Sequence, residues 1–414
     1  MSTPLITVDK IPFKDSISIF GTGKAADLLI ALIELKRKDI KIKCIIDNKN
    51  NLFKGIPVIN FSEYLENYSN KETIVIASMF FDEIVKDLNV NNIKDYYVLD
   101  IDNTRNELKK YSHFKNIGNE IKFIYIEVSS KCNLKCTYCY HTKFEYKSKN
   151  VNMDYSLFRR VIDQLKSSPV KPELFLHAFG EPTLNPHLLD MIEYARNSNK
   201  FCEIKFVSNL QAVPKEMYDK YFANGLSFLF VSLDALSHDV LNLTRRGSKF
   251  DNIVESLHYI SSKYSGKIGV ITALTRNNKN ELIDIYNFLN KLNISNWNIQ
   301  LGHFHNGQFD LNQSEVSQLK DNLLRIKSEK FHINFEEEKI FQCNQPFSTL
   351  VVNALGFITP CCSMTDHERL NFGNINSSEI YKIYGSSEFN EFRMKFIKKE
   401  SDICKNCPLY GQSH

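Results

Sequence analysis

The chain has 414 residues, 43% hydrophobic and 24% charged, and its 52 Lys and Arg nearly match its 48 Asp and Glu for a formal net charge of +4. That length accommodates two or three domains with buried cores, and the near balance of charge excludes the strongly basic signature of a polyanion-binding protein. The first residues lack a basic stretch followed by an apolar core, and no apolar run is long enough to span a bilayer. The sequence therefore reads as cytoplasmic, with no membrane or nucleic-acid partner expected.

Residues 1–112 alternate strands and helices. Ser16–Phe20 reads as a strand running into Gly21-Thr22-Gly23-Lys24-Ala25-Ala26, with a helix over 27–36. Further strands over 40–46, 73–77 and 96–99 predict a small parallel, Rossmann-like sheet. Gly21-x-Gly23-x-x-Ala26, after a strand and at a helix start, is the setting for a dinucleotide-type fingerprint. Backbone N–H groups at such a helix start can hold a phosphate. Asp47 ends the next strand, 26 residues after Gly21, where a ribose-binding acid would sit. The domain is too short for a two-half dinucleotide fold, so nicotinamide redox chemistry is disfavoured. Nucleotide-sugar or other phosphate-linked recognition is one reading, and a structural or docking role the other.

Residues 113–310 carry strands over 123–128, 173–177, 203–208, 228–233, 268–273 and 297–301, with helices between them. Repeated strand–helix units of this kind predict a partial (β/α)6 barrel, so the fold class is α/β. Residues 311–414 have little apolar content of their own, and a small domain of that composition needs a metal staple.

The ten cysteines are more informative than the charge. Cys44 and Cys202 stand alone in apolar, strand-like runs and read as core thiols. The others form two groups, Cys132, Cys136 and Cys139, then Cys343, Cys361, Cys362, Cys404 and Cys407. In a reducing compartment such grouping argues for metal binding over disulfides. The first group follows the first barrel strand directly, so one loop can wrap three thiolates around one centre. A closed zinc site takes four N or S ligands, and His141 is close enough to complete a zinc knuckle. A cubane iron–sulfur cluster on three cysteines instead keeps one iron open for a ligand that is not protein.

Cys132-x₃-Cys136-x₂-Cys139, with Tyr138 before the last cysteine, resembles the signature of the radical S-adenosylmethionine (SAM) superfamily. The resemblance implies that Cys132, Cys136 and Cys139 ligate a catalytic [4Fe–4S] cluster. Its open iron would chelate the amino and carboxylate groups of SAM, with Tyr138 against the adenine. Ala178-Phe179-Gly180-Glu181-Pro182 is similar to the family's Gly-Gly-Glu-Pro segment, with Phe179 in place of the first Gly. Gly180, Glu181 and Pro182 would then face the methionine ammonium. Ser208-Asn209-Leu210 stands where relatives often have Thr-Asn-Gly, and Ser232-Leu233-Asp234 resembles the ribose-contact segment. Arg246 would pair with the methionine carboxylate. These matches fall in order at the C-terminal ends of strands, the face where active sites of parallel barrels gather.

Gly356-x₄-Cys361, with Cys343 before it and Cys404-x₂-Cys407 after it, resembles the C-terminal SPASM/Twitch module of the same superfamily. The chain ends seven residues after Cys407, which implies the shorter arrangement. Cys343, Cys361, Cys404 and Cys407 would hold a second, auxiliary [4Fe–4S] cluster. A Cys₄ zinc site is the alternative. Cys362, pointing the opposite way from Cys361 on an extended chain, is either a plain thiol or a substrate-side group. His177, Gln300, His303 and His305 are further substrate-side candidates.

By the same resemblance the chain is an oxidoreductase. It would cleave SAM reductively to a 5′-deoxyadenosyl radical, fed by flavodoxin or ferredoxin, and oxidise a sugar-like or nucleotide-linked small molecule. A peptide or protein maturase is the alternative within the family; a non-enzymatic zinc-binding protein is the alternative outside it.

Overall fold

The computed structural model describes residues 5–12, 16–37, 39–48, 52–68, 72–110, 121–143, 145, 149–168, 170–301, 311–326, 330–335, 343, 345–405 and 407. These fall into two compact units, Met1–Lys115 and Asn116–His414.

In the first unit, strands β1 (Leu5–Ile6), β2 (Ser16–Phe20), β3 (Lys41–Ile46), β4 (Leu52–Phe53), β5 (Ile56–Ile59), β6 (Thr73–Ile76) and β7 (Tyr96–Leu99) form one sheet. Its order is β1-β7-β6-β2-β3-β5-β4, and every pairing is parallel except β4 with β5. The period of two along each strand splits its side chains between two cores. Ile17, Ile19, Ile45 and Val75 pack with Ala26, Leu29 and Ile33 of the Lys24–Lys36 helix. Cys44, Ile46, Ile74, Ile76 and Val98 pack on the other face with Tyr64 and Leu88.

The second unit is built on β8 (Phe123–Ile126), followed by β9 (Lys135–Cys136), β10 (Glu173–Phe175), β11 (Glu203–Ser208), β12 (Phe228–Ser232), β13 (Arg245–Arg246), β14 (Ile268–Leu274), β15 (Asn296–Leu301), β16 (His332–Phe335), β17 (Thr349–Val352) and β18 (Ile358–Thr359). The large sheet runs β16-β15-β14-β12-β11-β10-β8-β17-β18, parallel from β16 through β17. All the barrel strands expected from the sequence are present. Beyond them the sheet extends at both ends, with β16 beside β15 and β17 beside β8.

The segment from residue 311 on also differs from its reading as a piece with little core. Ile358, Ile375, Ile380, Ile383, Tyr384, Phe389 and Phe392 join the same continuous core as the barrel strands. Their apolarity is spread along short helices and turns, so no local window of sequence displays it.

Arg393 fastens this segment. The residue is 2% exposed, and its guanidinium donates to the carbonyls of Pro346 (2.7 Å) and Tyr384 (2.7 Å) and to Asn390 Oδ1 (2.8 Å), stacked 3.9 Å from the Phe389 ring centre. Replacing it with Ala strands two buried carbonyls and opens a void, together worth about 3 kcal/mol. Arg393→Ala should lower the urea midpoint of the second unit; an unchanged midpoint would show that the segment is held by other contacts.

Candidate active site

The C-terminal ends of the barrel strands enclose a cavity of about 400 Å³. Its lining brings together Cys132, Cys136, Cys139, Tyr138, Gly180, Glu181, Ser208, Asn209, Ser232 and Asp234, which lie far apart in the sequence. Also on it are Tyr125, His177, Arg245, Gln300, Cys362 and Ser363. His303 and His305 lie outside the described residues.

The cysteine loop is stapled at several points. β9 pairs antiparallel with β13, setting Cys136 opposite Arg245 and Lys135 opposite Arg246. Thr137 N–H donates to the Thr244 carbonyl at 2.9 Å. His141 is buried and its Nε2 donates to the Ser130 carbonyl at 2.6 Å, so this imidazole closes the base of the loop.

Gly180 explains the glycine of Gly-Glu-Pro. Its φ is +81°, and a Cβ there would lie 2.6 Å from the Ser129 carbonyl oxygen and 2.7 Å from that of Lys131. Glu181 N–H donates to the Lys131 carbonyl, and Pro182 is buried at the start of the Pro182–Leu184 3₁₀ turn. The Glu181 carboxylate is committed to the protein itself: Oε1 accepts from Thr183 Oγ1 (2.6 Å) and Ser208 Oγ (2.9 Å), and Oε2 from Asn209 N–H (2.8 Å). Burial still raises its pKa. The carboxylate, which also lines the cavity, thereby joins two strand ends. Asn209 Nδ2 extends that joint to Asn133 Oδ1 at 2.8 Å, inside the cysteine loop. Leu210 adopts a φ of +59°, the conformation for which relatives' Gly is suited, and is fixed there by full burial.

Tyr138 is likewise tied down by polar contacts. Its hydroxyl donates to Asp234 Oδ2 at 2.6 Å and accepts from Arg245 at 3.0 Å, and Asp234 Oδ1 accepts from Ala273 N–H at 2.9 Å. Arg245 is the arginine on the cavity, whereas Arg246 is exposed. Neighbours on a strand point to opposite faces, and the register with Cys136 decides which points in.

Near the end of β8, Glu127 joins three segments. Its carboxylate accepts from Phe179 N–H (3.4 Å), Ala354 N–H (3.2 Å) and Thr365 Oγ1 (3.1 Å). Burial raises its pKa to about 8. Gly356, at φ +85°, turns the hairpin that carries Cys361 and Cys362.

The donor chemistry fits iron–sulfur clusters. In the first group, burial pushes the thiols of Cys132 (to about 12), Cys136 and Cys139 up; Cys132 and Cys136 are raised further by neighbouring cysteines and a nearby carboxylate, whereas backbone N–H groups and the cations of Arg245 and Lys149 partly offset the rise at Cys139. Three neighbouring thiols whose ionisation is that costly suit a cationic cluster that takes up their charge. Cys343 and Cys361 each interact electrostatically with Cys407, and Cys404 with Cys407, so the second group is also gathered in space. Of the two isolated cysteines, Cys44 is buried beside Ser18, but Cys202 is exposed. Cys202 precedes the first residue of β11 at the sheet rim, which the apolar run around it does not reveal.

In the first unit, Gly21 (φ +109°) and Gly23 flank Thr22, whose N–H and Oγ1 both donate to Asp47 Oδ2, at 2.9 and 2.7 Å. Asp47, read as a ribose acid, is thus occupied in closing the glycine loop from within.

A parallel barrel with a three-thiol loop after its first strand and a second thiol group added beside that strand defines a class: barrel enzymes that work through iron–sulfur clusters. Residues 126–289 match the Radical SAM superfamily, and residues 343–408 match SPASM, an iron–sulfur cluster-binding domain. The chain belongs to the radical SAM superfamily and carries a SPASM domain. It is an enzyme whose cofactors are SAM, a catalytic [4Fe–4S] cluster and an auxiliary cluster.

The tungsten-containing aldehyde ferredoxin oxidoreductase cofactor-modifying protein of Pyrococcus furiosus is 24% identical over 321 residues, covering 70% of this chain and 88% of that one. The S-adenosyl-L-methionine-dependent 2-deoxy-scyllo-inosamine dehydrogenase of Niallia circulans is 24% identical over 289 residues, covering 69% and 91%. Streptococcus suis SuiB bound to S-adenosylmethionine superposes with a TM-score of 0.57 at 15% identity, covering 81% of this chain and 83% of that one, which speaks to the fold alone.

Gly180→Ala should displace the cysteine loop, so that anaerobic reconstitution loads the auxiliary cluster but loses the iron and the visible absorbance of the catalytic one; full iron loading would refute the close-approach argument. Glu127 has a folded pKa of about 8 against an ordinary 4.5. Between those values the unfolded chain releases a proton that the folded chain keeps, so the stabilising contribution is whole below pH 4.5 and is lost as pH rises to 8. Glu127→Gln should remove this slope, at most about 1.4 kcal/mol per pH unit. Parallel stability–pH curves for the two proteins would contradict it.

Proposed function

We propose that the chain oxidises a sugar-like or nucleotide-linked small molecule. The observation that carries this reading is the lining of the cavity. Besides the cysteine loop it offers Tyr125, His177, Gln300 and Ser363, a set of hydrogen-bonding groups suited to hydroxyls in a space of about 400 Å³. The Nδ1 of His177 is buried without a partner, and burial alone lowers its pKa to about 4, so a neutral imidazole faces the ligand. The relative named 2-deoxy-scyllo-inosamine dehydrogenase, 91% of whose length this chain covers, supports the same substrate class.

When bound, the reduced catalytic cluster supplies the electron that cleaves SAM and so the radical that removes hydrogen from carbon. The chain's own residues do the rest. Cys132, Cys136 and Cys139 would hold that cluster, and Cys343, Cys361, Cys404 and Cys407 the auxiliary one. Gly180, Asn209 and the Tyr138–Asp234–Arg245 contacts fix the loop relative to the strands. Ser232 and the backbone around Glu181 remain to orient SAM. A one-electron donor such as flavodoxin or ferredoxin would serve as reductant, which fits a cytoplasmic setting.

A peptide maturase is the second reading, since SuiB bound to its precursor peptide shares the fold with a TM-score of 0.55. Metabolite and peptide profiling of cells lacking the chain decides between them: an accumulating small polyol or nucleotide-linked sugar supports the proposal, and an unmodified peptide overturns it.

Anaerobic reconstitution should give roughly eight irons per chain with matching sulfide; zinc without sulfide would reject the enzyme. Cys136→Ala should abolish 5′-deoxyadenosine formation. Cys404→Ala should spare uncoupled SAM cleavage yet stop substrate turnover, and undiminished product would make the second cluster purely structural.

A further inference from the structure

One thiol on the cavity belongs to neither proposed ligand set. Cys362 lines the space that holds Cys132, Cys136 and Cys139, whereas its neighbour Cys361 is not part of that lining. The Cys362 thiol is close enough to the Tyr125 phenol to act on its ionisation, and Tyr125 is on the same lining. The space is prepared for a polar occupant: Arg245, only 7% exposed, leaves its Nε without a partner there, as does His177 its Nδ1. Buried donors are rarely left unpaired unless something else pairs with them.

A cysteine is mostly protonated at neutral pH. Its S–H bond is weaker than an ordinary C–H bond, so a carbon radical formed within reach takes the sulfur's hydrogen downhill. A C–H bond beside a hydroxyl is weak enough to return a hydrogen to the resulting thiyl. An inert thiol in this space would quench the chemistry, whereas a participating one relays it.

We propose that Cys362 is a catalytic hydrogen-atom relay between the SAM-derived radical and the substrate. In the first step the S–H bond breaks and a C–H bond forms on 5′-deoxyadenosine, leaving the unpaired electron on sulfur. In the second the thiyl takes hydrogen from a substrate carbon that bears a hydroxyl, restoring the thiol. The substrate radical would then lose the hydroxyl proton to solvent and one electron to a one-electron acceptor, which an iron–sulfur centre held by Cys343, Cys361, Cys404 and Cys407 would supply, leaving a carbonyl. The last two steps rest on the oxidation proposed above; the first needs no substrate.

The test uses the holoenzyme in D₂O with SAM and dithionite, without added thiols or substrate. The exchanged S–D should place one deuterium in 5′-deoxyadenosine, read by mass spectrometry. Cys362→Ala and Cys362→Ser should lose that deuterium, and Cys202→Ala should keep it. Equal deuterium in wild type and both Cys362 variants overturns the relay while leaving the family chemistry intact. No 5′-deoxyadenosine from any of these proteins overturns both. A second readout is independent of turnover: in the unreduced holoenzyme, SAM should slow alkylation of Cys362 and leave that of Cys202 unchanged. Labelling of Cys362 that is indifferent to SAM overturns its placement beside the cofactor.

Discussion

The buried carboxylate of Glu127 is the point on which the active-site half of this molecule turns. It comes just after the first barrel strand, and its three donors come from the Gly-Glu-Pro loop and from two places in the C-terminal segment. Burying such a group is costly unless its hydrogen bonds are made. That cost works as a registration device, because the hairpin carrying Cys361 and Cys362 satisfies the carboxylate only in one position against β8. The backbone agrees, since Glu127 N–H donates to the Val352 carbonyl and β17 continues the sheet in parallel. The two cysteine groups are thereby fixed relative to each other through one strand and one side chain.

Around the cavity the same economy recurs. Glu181, Ser208, Asn209, Tyr138 and Asp234 look like ligand-binding groups when read singly, but their side chains are largely spent on one another. Their collective product is a cysteine loop held at five or more points, which is what a cluster with an open iron requires. A loop free to move would let a fourth protein ligand or water close that iron. Electrostatics points the same way. Burial raises the pKa of these thiols, and a cationic cluster would compensate the charge of their thiolates.

Much of this was legible in the sequence wherever function is encoded in local spacing. Three cysteines within eight residues after a strand, and short motifs at successive strand ends, line one cavity because a parallel barrel delivers strand ends to one face. What escaped was whatever depends on pairing between distant segments. Arg245 rather than Arg246 faces the cavity because of an antiparallel pairing with the cysteine loop that no single window contains. β17 sits beside β8 although more than 200 residues separate them in the chain. Glu127 was passed over because an acid at the end of an apolar strand looks like a strand terminus, and its partners lie in distant segments. Leu210 could have been noticed: a bulky residue at a position that favours glycine signals strained backbone held by packing.

The Gly21–Gly23 loop shows the converse, a motif present in full with Thr22 already engaged by Asp47. The loop follows a strand and opens a helix, so its backbone is arranged as a phosphate site would be. Yet Asp47 already supplies the anion, taking both the N–H and the hydroxyl of Thr22. The glycines by themselves specify only the turn; the charge beside them specifies what the turn can accept, and that charge lies in a different strand.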